Sequence, residues 1–287
     1  MTKTQDITIF QEIPSLNNAL MIMGLDGWGN ALNISRGMIE FLIQRLDAEP
    51  FGEISADAFY KLDDVRPIVD IQDGILKRLE PPGGHFYFVR QASSGRDLVL
   101  LNTTEPNFHW FQFSDSVLSL CRQIDVQTII SLGSMYDNVL HTDTLISAVA
   151  SDTEILEELN KQNVISIDYQ GPTAIHSTLH TEAVKKGFRS ICLWCHCPHY
   201  LQGTMHFGLL SYLGSFLASL GGFHLDIKEL EIAWKDLNQQ IQNIIDKNPE
   251  LQNMIHEIRK AKVRGSWDMS GKKQDKIIQL EDYLKPR

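Results

Sequence analysis

Oxidised staples, membrane spans and basic stripes are all scarce in this 287-residue chain. Only four cysteines are present, and Cys192, Cys195 and Cys197 crowd one segment, which is no stapling framework. Lys and Arg total 26 against 36 Asp and Glu, a net charge of −10. Without a basic stripe, nucleic acid is excluded as the main partner. The richest apolar stretch, residues 207–223, is broken by Ser211, Gly214, Ser215, Ser219, Gly221 and Gly222, so no membrane span is expected. Met1-Thr2-Lys3-Thr4-Gln5-Asp6 turns acidic early and leads into no apolar h-region, so a cytoplasmic protein is expected. Internal repeats and low-complexity segments are missing. So are the named motifs. Gly24-x-x-Gly27-x-Gly29 has the wrong order for a dinucleotide fingerprint, and Trp28 is bulky where a phosphate needs close backbone approach. There is no Walker A loop, and Gly133-Ser134 lacks the second flanking glycine of a nucleophile elbow.

What remains is the material of a folded α/β protein. Hydrophobic residues make up 43% and charged residues 22%, enough for one large domain or a domain with an appendage. The most informative stretch is Met21-Ile22-Met23-Gly24-Leu25-Asp26-Gly27-Trp28-Gly29-Asn30-Ala31. An apolar run ends in glycines, and a helical pattern of Leu32, Met38, Phe41 and Leu46 follows. This reads as strand, tight turn and helix, with Asn30 as the helix cap. Backbone N–H groups and a helix N-terminus at a strand end suit an anion or polar ligand.

Further strands are expected at 51–55, 85–90, 97–101, 128–132, 145–149, 164–167 and 190–195. The second and third of these flank a turn at Ser93-Ser94-Gly95-Arg96. Helices are expected at 113–124, 152–160, 174–186 and 202–220, and residues 57–82 read as an elaborated connection. Strands alternating with helices give an α/β fold with a mostly parallel central sheet. Beyond Asp226, Ile227, Leu230, Trp234, Leu237, Ile241 and Ile244 form a narrow seam. Asn248-Pro249 breaks it, and Leu251, Ile255 and Ile258 continue it. Such a helical hairpin packs on its own domain or contacts another subunit. The expected organisation is an α/β domain over 1–224, a hairpin over 225–264 and a polar tail over 265–287 with an apolar cluster at Ile277, Ile278, Leu280 and Leu284.

Five strand-end loops carry most of the unusual polar and aromatic residues: 24–30, 102–106, 133–142, 168–172 and 195–200. Ligands of open parallel sheets bind at that edge. Acid–base candidates there are Asp26, Glu105, Asp137, His141, Asp168 and His199. A lone loop carboxylate usually caps a turn instead. Cys195, Cys197 and His199, joined by His141, His176 or His206, have the donors for zinc, and a cysteine nucleophile paired with His199 or His141 is the other reading. Strand alternation sends His196 away from both cysteines, and buried cysteine is also an ordinary small hydrophobe. No metal and no cofactor is therefore expected.

The same loops resemble, in order, the proteasome assembly chaperone 2 family, most nearly its prokaryotic branch. The residues are Gly24 to Ala31, Glu105-Pro106 with Trp110 and Phe113, Leu132-Gly133-Ser134, His141-Thr142, Tyr169-x-Gly171-Pro172 and Pro198-His199-Tyr200. They span about residues 15–260. One segment departs: the family's Pro-His-Thr-Arg-Pro is here Leu140-His141-Thr142-Asp143-Thr144. The resemblance implies a three-layer α/β/α sandwich similar to the nucleoside phosphorylase/hydrolase-like fold, with a C-terminal helical addition. It also implies a homo-oligomer, with a trimer as the guessed state, and a role in interaction or assembly without established catalysis. Another protein is the possible second partner. Gly27, Trp28, Asn30, Glu105, Pro106, His141, Thr142, Tyr169, Gly171, Pro172, His199 and Tyr200 are then the ligand- or partner-binding candidates. The competing expectation is an enzyme acting on a small polar metabolite at that edge, through Asp26, Glu105, His141 and His199.

Overall fold

The structure is a computed structural model that describes residues 6–13, 15–91 and 96–264. The turn expected at Ser93-Ser94-Gly95 and the tail cluster at Ile277, Ile278, Leu280 and Leu284 lie outside the described residues. The first half of the chain runs β1 (Ile7–Ile9), β2 (Ala19–Asp26), α1 (Ile34–Arg45), β3 (Glu49–Ile54), α2 (Ala56–Phe59), β4 (Ile68–Gln72), β5 (Ile75–Glu80), β6 (Gly84–Val89) and β7 (Leu98–Thr104). Then come α3 (Trp110–Gln123), β8 (Val126–Asp137), β9 (Ile146–Ala150), α4 (Thr153–Asn160), β10 (Ile165–Ser166), α5 (Ile175–Lys185) and β11 (Arg189–Pro198). Three helices close the described chain: α6 (Phe207–Gly221), α7 (Lys228–Lys247) and α8 (Pro249–Arg264).

The main sheet has the order β1-β3-β6-β7-β2-β8-β11-β9-β10. Its centre, β7-β2-β8-β11, is parallel. The flanks are antiparallel: β1–β3, β3–β6 and β6–β7 on one side, β11–β9 on the other. β2 sits in the middle, and alternation sends its side chains to two cores. Leu20 and Ile22 join α1, α4 and α6 on one face; Met21, Met23 and Leu25 join α3 and α5 on the other. That is the expected three-layer sandwich. Gly24 lets α1 lie directly on β2, because a Cβ there would fall 2.5 Å from the Ser35 carbonyl oxygen.

Several boundaries differ from the sequence reading. β8 and β11 run through 133–137 and 195–198, which had read as loops. β11 pairs with β8 over its full length, and ten consecutive partners, Arg189 to Pro198 against Thr128 to Asp137, hold both strands extended. β10 runs parallel to β9 and therefore opposite to the central strands, because β9 is antiparallel to β11. Its end does not join the shared carboxyl edge; residues 167–174 carry the chain back there instead. The connection at 57–82 holds a two-stranded ribbon, β4–β5, closed by Asp73 and Gly74 in left-handed conformations (φ 52° and 75°).

The C-terminal seam packs on the chain's own domain. Leu230, Leu237, Ile241, Ile245, Leu251 and Ile255 are buried in the same core cluster as α6, with Ile227, Trp234, Ile244 and Ile258 against it. Asn248 ends α7 and caps α8, its Oδ1 accepting the Glu250 and Leu251 amides at 3.0 and 3.2 Å. Trp234 anchors the hairpin: its indole stacks on His206 at 4.7 Å and lies where Gly208 leaves room, a Cβ there falling 2.7 Å from the ring. Trp234→Ala should lower the stability of the folded chain by about 2–4 kcal/mol, read from the urea midpoint. An unchanged midpoint would mean that the hairpin holds by other contacts.

Candidate functional site

Chain direction puts the carboxyl ends of β2, β7, β8 and β11 at one edge. The strand order reverses between β2 and β8, since the chain leaves β7 and crosses β2 through α3. Open α/β sheets bind ligands at such a point. Here the loop after β2 folds across it. The Ser134 amide donates to the Gly29 carbonyl at 2.8 Å, and the Ser134 hydroxyl donates to the Ala31 carbonyl at 2.8 Å. Just below, the Leu132 carbonyl accepts from the Ser35 hydroxyl of α1 on one face and from His176 Nε2 of α5, at 2.8 Å, on the other. A carbonyl only accepts, so Nε2 carries the proton. Burial holds the ring neutral and its pKa below the usual value.

The helix N-terminus that read as an anion cradle is satisfied from within. Asn30 does cap, from outside the helix: its Oδ1 accepts the Ser35 and Arg36 amides at 3.0 and 3.3 Å. Its Nδ2 donates to Asp26 Oδ1 at 3.0 Å, and the other Asp26 oxygen pairs with Arg36 at 3.1 Å. The loop's anion is Glu105. Its Oε2 accepts the Trp28 amide at 3.0 Å and its Oε1 accepts the Ile175 amide, at the start of α5, at 2.8 Å. Gly27 (φ 141°) makes the approach possible, because a Cβ would fall 2.7 Å from that of Glu105. Pro106 is buried beside this carboxylate, and its carbonyl accepts the Trp110 indole N–H at 2.7 Å.

Around Glu105 stand exposed aromatics on three chain segments. Trp28 (67% exposed) follows Gly27; Phe108 (47%) and Phe111 (69%) follow Pro106. Tyr169 (57%) precedes Ile175, with its hydroxyl on the Pro172 carbonyl at 2.7 Å and its ring over Gly171. Phe108 and Phe111 went unnoticed in the sequence. Their signal was available: apolar residues at 108 and 111 flank the buried Phe113 out of step with its helical face.

His141 and Tyr200 lie elsewhere, under the C-terminal hairpin. The Tyr200 hydroxyl accepts the His141 amide at 2.6 Å and shares a hydrogen bond with His141 Nδ1 at 2.7 Å. Thr142 is exposed in the tight turn that follows, where Asp143, the departure from the family's basic residue, accepts the Leu140 amide at 3.0 Å. His206 faces the same indole as His141, and its Nδ1 accepts the Leu209 amide at 3.2 Å as the cap of α6. Both rings are held neutral: burial pushes the His141 pKa down to about 4, helped by Arg259, and that of His206 down to about 4, helped by His141.

His199 stacks on Tyr136 at 5.4 Å. One residue-pair away, His196 hydrogen-bonds Asp137 Oδ2 through Nδ1 at 2.7 Å and the Ser147 hydroxyl through Nε2 at 2.9 Å. Burial works against the Asp137 charge, but hydrogen bonds from His196 and the Asn138 amide prevail and hold its carboxyl below the usual range. This is the connectivity of a Ser–His–Asp relay. Ser147, however, has no exposed surface, so no carbonyl group reaches its oxygen in this conformation. Alternation had already turned His196 away from the cysteines; it could not name Ser147, which arrives from a neighbouring strand. Cys195 and Cys197 point into the core on the other face, and burial raises both thiols, Cys195 to about 12. Among the described residues, no three His, Cys, Asp or Glu side chains are grouped to hold a metal ion. Asp26, Glu105, His141 and His199 thus take partners in three separate places: Asp26 and Glu105 at the β2 loop, His141 under the hairpin, His199 on Tyr136.

The family model described as the PAC2 family matches residues 21–245. The chain belongs to the PAC2 family. Among solved structures, it is similar to a PAC2 family protein from Streptomyces avermitilis, with 22% identity, TM-score 0.75 and coverage of 83% of this chain and 99% of that one. It is similar to a proteasome-assembly chaperone homologue from Mycobacterium tuberculosis, with 23% identity, TM-score 0.75 and coverage of 82% and 99%. A protein of unknown function from the same organism has 19% identity and TM-score 0.81, over 92% of this chain and 91% of that one. At these identities the likeness shows the fold. No curated protein matches the sequence.

Two outcomes follow for this PAC2 chain. Glu105→Ala leaves two amides without their acceptor and should destabilise the fold by about 1–3 kcal/mol, measured by urea unfolding; a neutral result would remove Glu105 as the tie between β2 and α5. His141 and His206 make stability depend on pH. Well above the ordinary histidine pKa of about 6.5 both rings are neutral in folded and unfolded chains, so they contribute no slope. Below it the unfolded chain takes up protons that the folded chain refuses, so the unfolding midpoint should fall as pH drops toward about 4. His206→Asn should flatten that slope; an unaltered slope would assign it to other groups.

Proposed function

We propose that this PAC2 chain is a protein-interaction module with assembly-chaperone-like behaviour, working in the cytoplasm as a homo-oligomer and through contact with another protein. The observation that carries the reading is the set of exposed aromatics, Trp28, Phe108, Phe111 and Tyr169, on the segments that follow β2, follow β7 and lead into α5, with Glu105 tying the Trp28 and Ile175 amides together. Large aromatics on rigidly fixed loops are the anchors that dominate protein–protein binding energy, and they cost little side-chain entropy to bury. The edge where a metabolite would sit is bridged by the chain's own loop. A related fold in Mycobacterium tuberculosis is described as a proteasome-assembly chaperone homologue, which makes proteasome subunits the first partners to try. The four cysteines are free and buried, which suits a reducing compartment.

The test is binding of the purified chain to proteasome subunits from the same source, by calorimetry or co-sedimentation. Trp28→Ala and Phe111→Ala should each weaken binding by about tenfold or more while leaving the unfolding midpoint within about 0.5 kcal/mol, since both side chains are mostly exposed. Binding indifferent to both changes would remove the aromatic edge from the reading. A chain that binds no proteasome subunit and never self-associates would sink the reading itself.

A further inference from the structure

The ribbon β4–β5 belongs to neither layer of the sandwich. Among the described residues the two strands pair only with each other. Ile68, Val69, Ile71, Ile75, Leu76 and Leu79 are all exposed, by 48–67%. Residues paired across strands share a face, and neighbours along a strand alternate. Val69 pairs with Leu79 and Ile71 with Leu76, which puts these four aliphatic side chains on one face. The opposite face takes Ile68, Asp70, Gln72, Ile75, Arg78 and Glu80, with Arg78 and Glu80 in an ion pair at 2.9 Å. Lys77 is the extra residue where the register shifts between Asp70 and Ile71. The first face is therefore wholly apolar and the second mixed.

A lone two-stranded hairpin is marginal in water, so this face calls for a cover. The cover must be apolar, because the face offers an ionic partner nothing to pair with. A second copy of the chain meets that requirement. Two copies at −10 each repel over most of their surfaces. Along 68–80 the charges nearly cancel, with Asp70, Asp73 and Glu80 against Lys77 and Arg78. A flat uncharged face is also self-complementary about a two-fold axis, whereas a charged one meets its own sign.

We infer that the face of Val69, Ile71, Leu76 and Leu79 packs on the same face of a second copy. This rests on the self-association proposed above and gives it a surface. Strands of five and six residues span about 17–20 Å. Two strands make a patch well below the roughly 800 Å² per partner of a standard stable interface. The contact is reversible and concentration-dependent, and its two-fold symmetry makes a dimer rather than the guessed trimer.

Light scattering with size exclusion, from about 1 μM to about 1 mM, tests this on the full chain. The wild type should pass from monomer to dimer as concentration rises. Val69→Glu with Leu79→Glu should weaken association at least about tenfold, with unchanged circular dichroism because the replaced side chains are exposed. Ile68→Glu, the same charge on the other face, should shift it by less than about threefold. Hydrogen exchange on the wild type gives a check that needs no variant: ribbon amides should slow with concentration more than those of α3. A wild type that associates while the double variant does so equally, or while Ile68→Glu is as damaging, overturns the ribbon interface and leaves self-association standing. A trimer indifferent to the ribbon has the same consequence. A wild type that stays monomeric throughout overturns both.

Discussion

The Glu105 carboxylate accepts the Trp28 amide from the β2 loop and the Ile175 amide from the first turn of α5. With it, β7, the loop after β2 and the helix on the far face are joined by one charged group. Donors at a helix N-terminus and in a glycine turn attract an anion, and here the anion is built in. The Gly27 backbone follows from that choice, since any side chain would occupy the space of Glu105. The apposition of Asn30 to Ser134, and of Ser35 and His176 to the Leu132 carbonyl, then closes the switch point of the sheet from both layers.

The loop after β2 bridges the switch point of this sheet through Ser134, at the place where open α/β sheets bind ligands. Trp28 and Phe108 are exposed on backbones that are tied down, by the Glu105 carboxylate and the Phe59 carbonyl, so the proposed interaction would need little new order. The polar residues that invited a catalytic reading are spent on the frame: Asp26 on Arg36 and Asn30, His141 on Tyr200, His196 on Asp137 and Ser147. The lowered pKa values of His141 and His206 report burial under the C-terminal hairpin. Perturbed histidines mark functional sites only when the same burial leaves a way in.

Much of the fold was legible because its signals are local. The apolar run of β2 and the start of α4 at Asp152, which caps it, are signals that act within a few residues. The seam from Ile227 to Ile258 was legible for the same reason, as a 3.6-residue periodicity. Asp73-Gly74 between Ile71 and Ile75 was a hairpin signal of equal quality, yet it lay inside a polar, proline-bearing connection whose composition outweighed it. The lengths of β8 and β11 were not legible, because Gly133-Ser134 and Pro198 look like loop and become strand only through each other. The direction of β10 was hidden likewise: it is inherited from β9, whose orientation depends on β11.

By itself the sequence determined the alternation of strands and helices, the helical hairpin at 227–258, the acidic surface and the family to which the loop motifs belong. All of these are written in periodicity, composition and residue order. The tertiary structure alone decided that Glu105 fills the cradle of the β2 loop, that Ser147 meets His196, that His141 and His206 share Trp234, and that Val69, Ile71, Leu76 and Leu79 share one uncovered face. Each of these depends on which distant segments become neighbours, and hydrogen-bond donors find their acceptors only after the chain has brought them within about 3 Å.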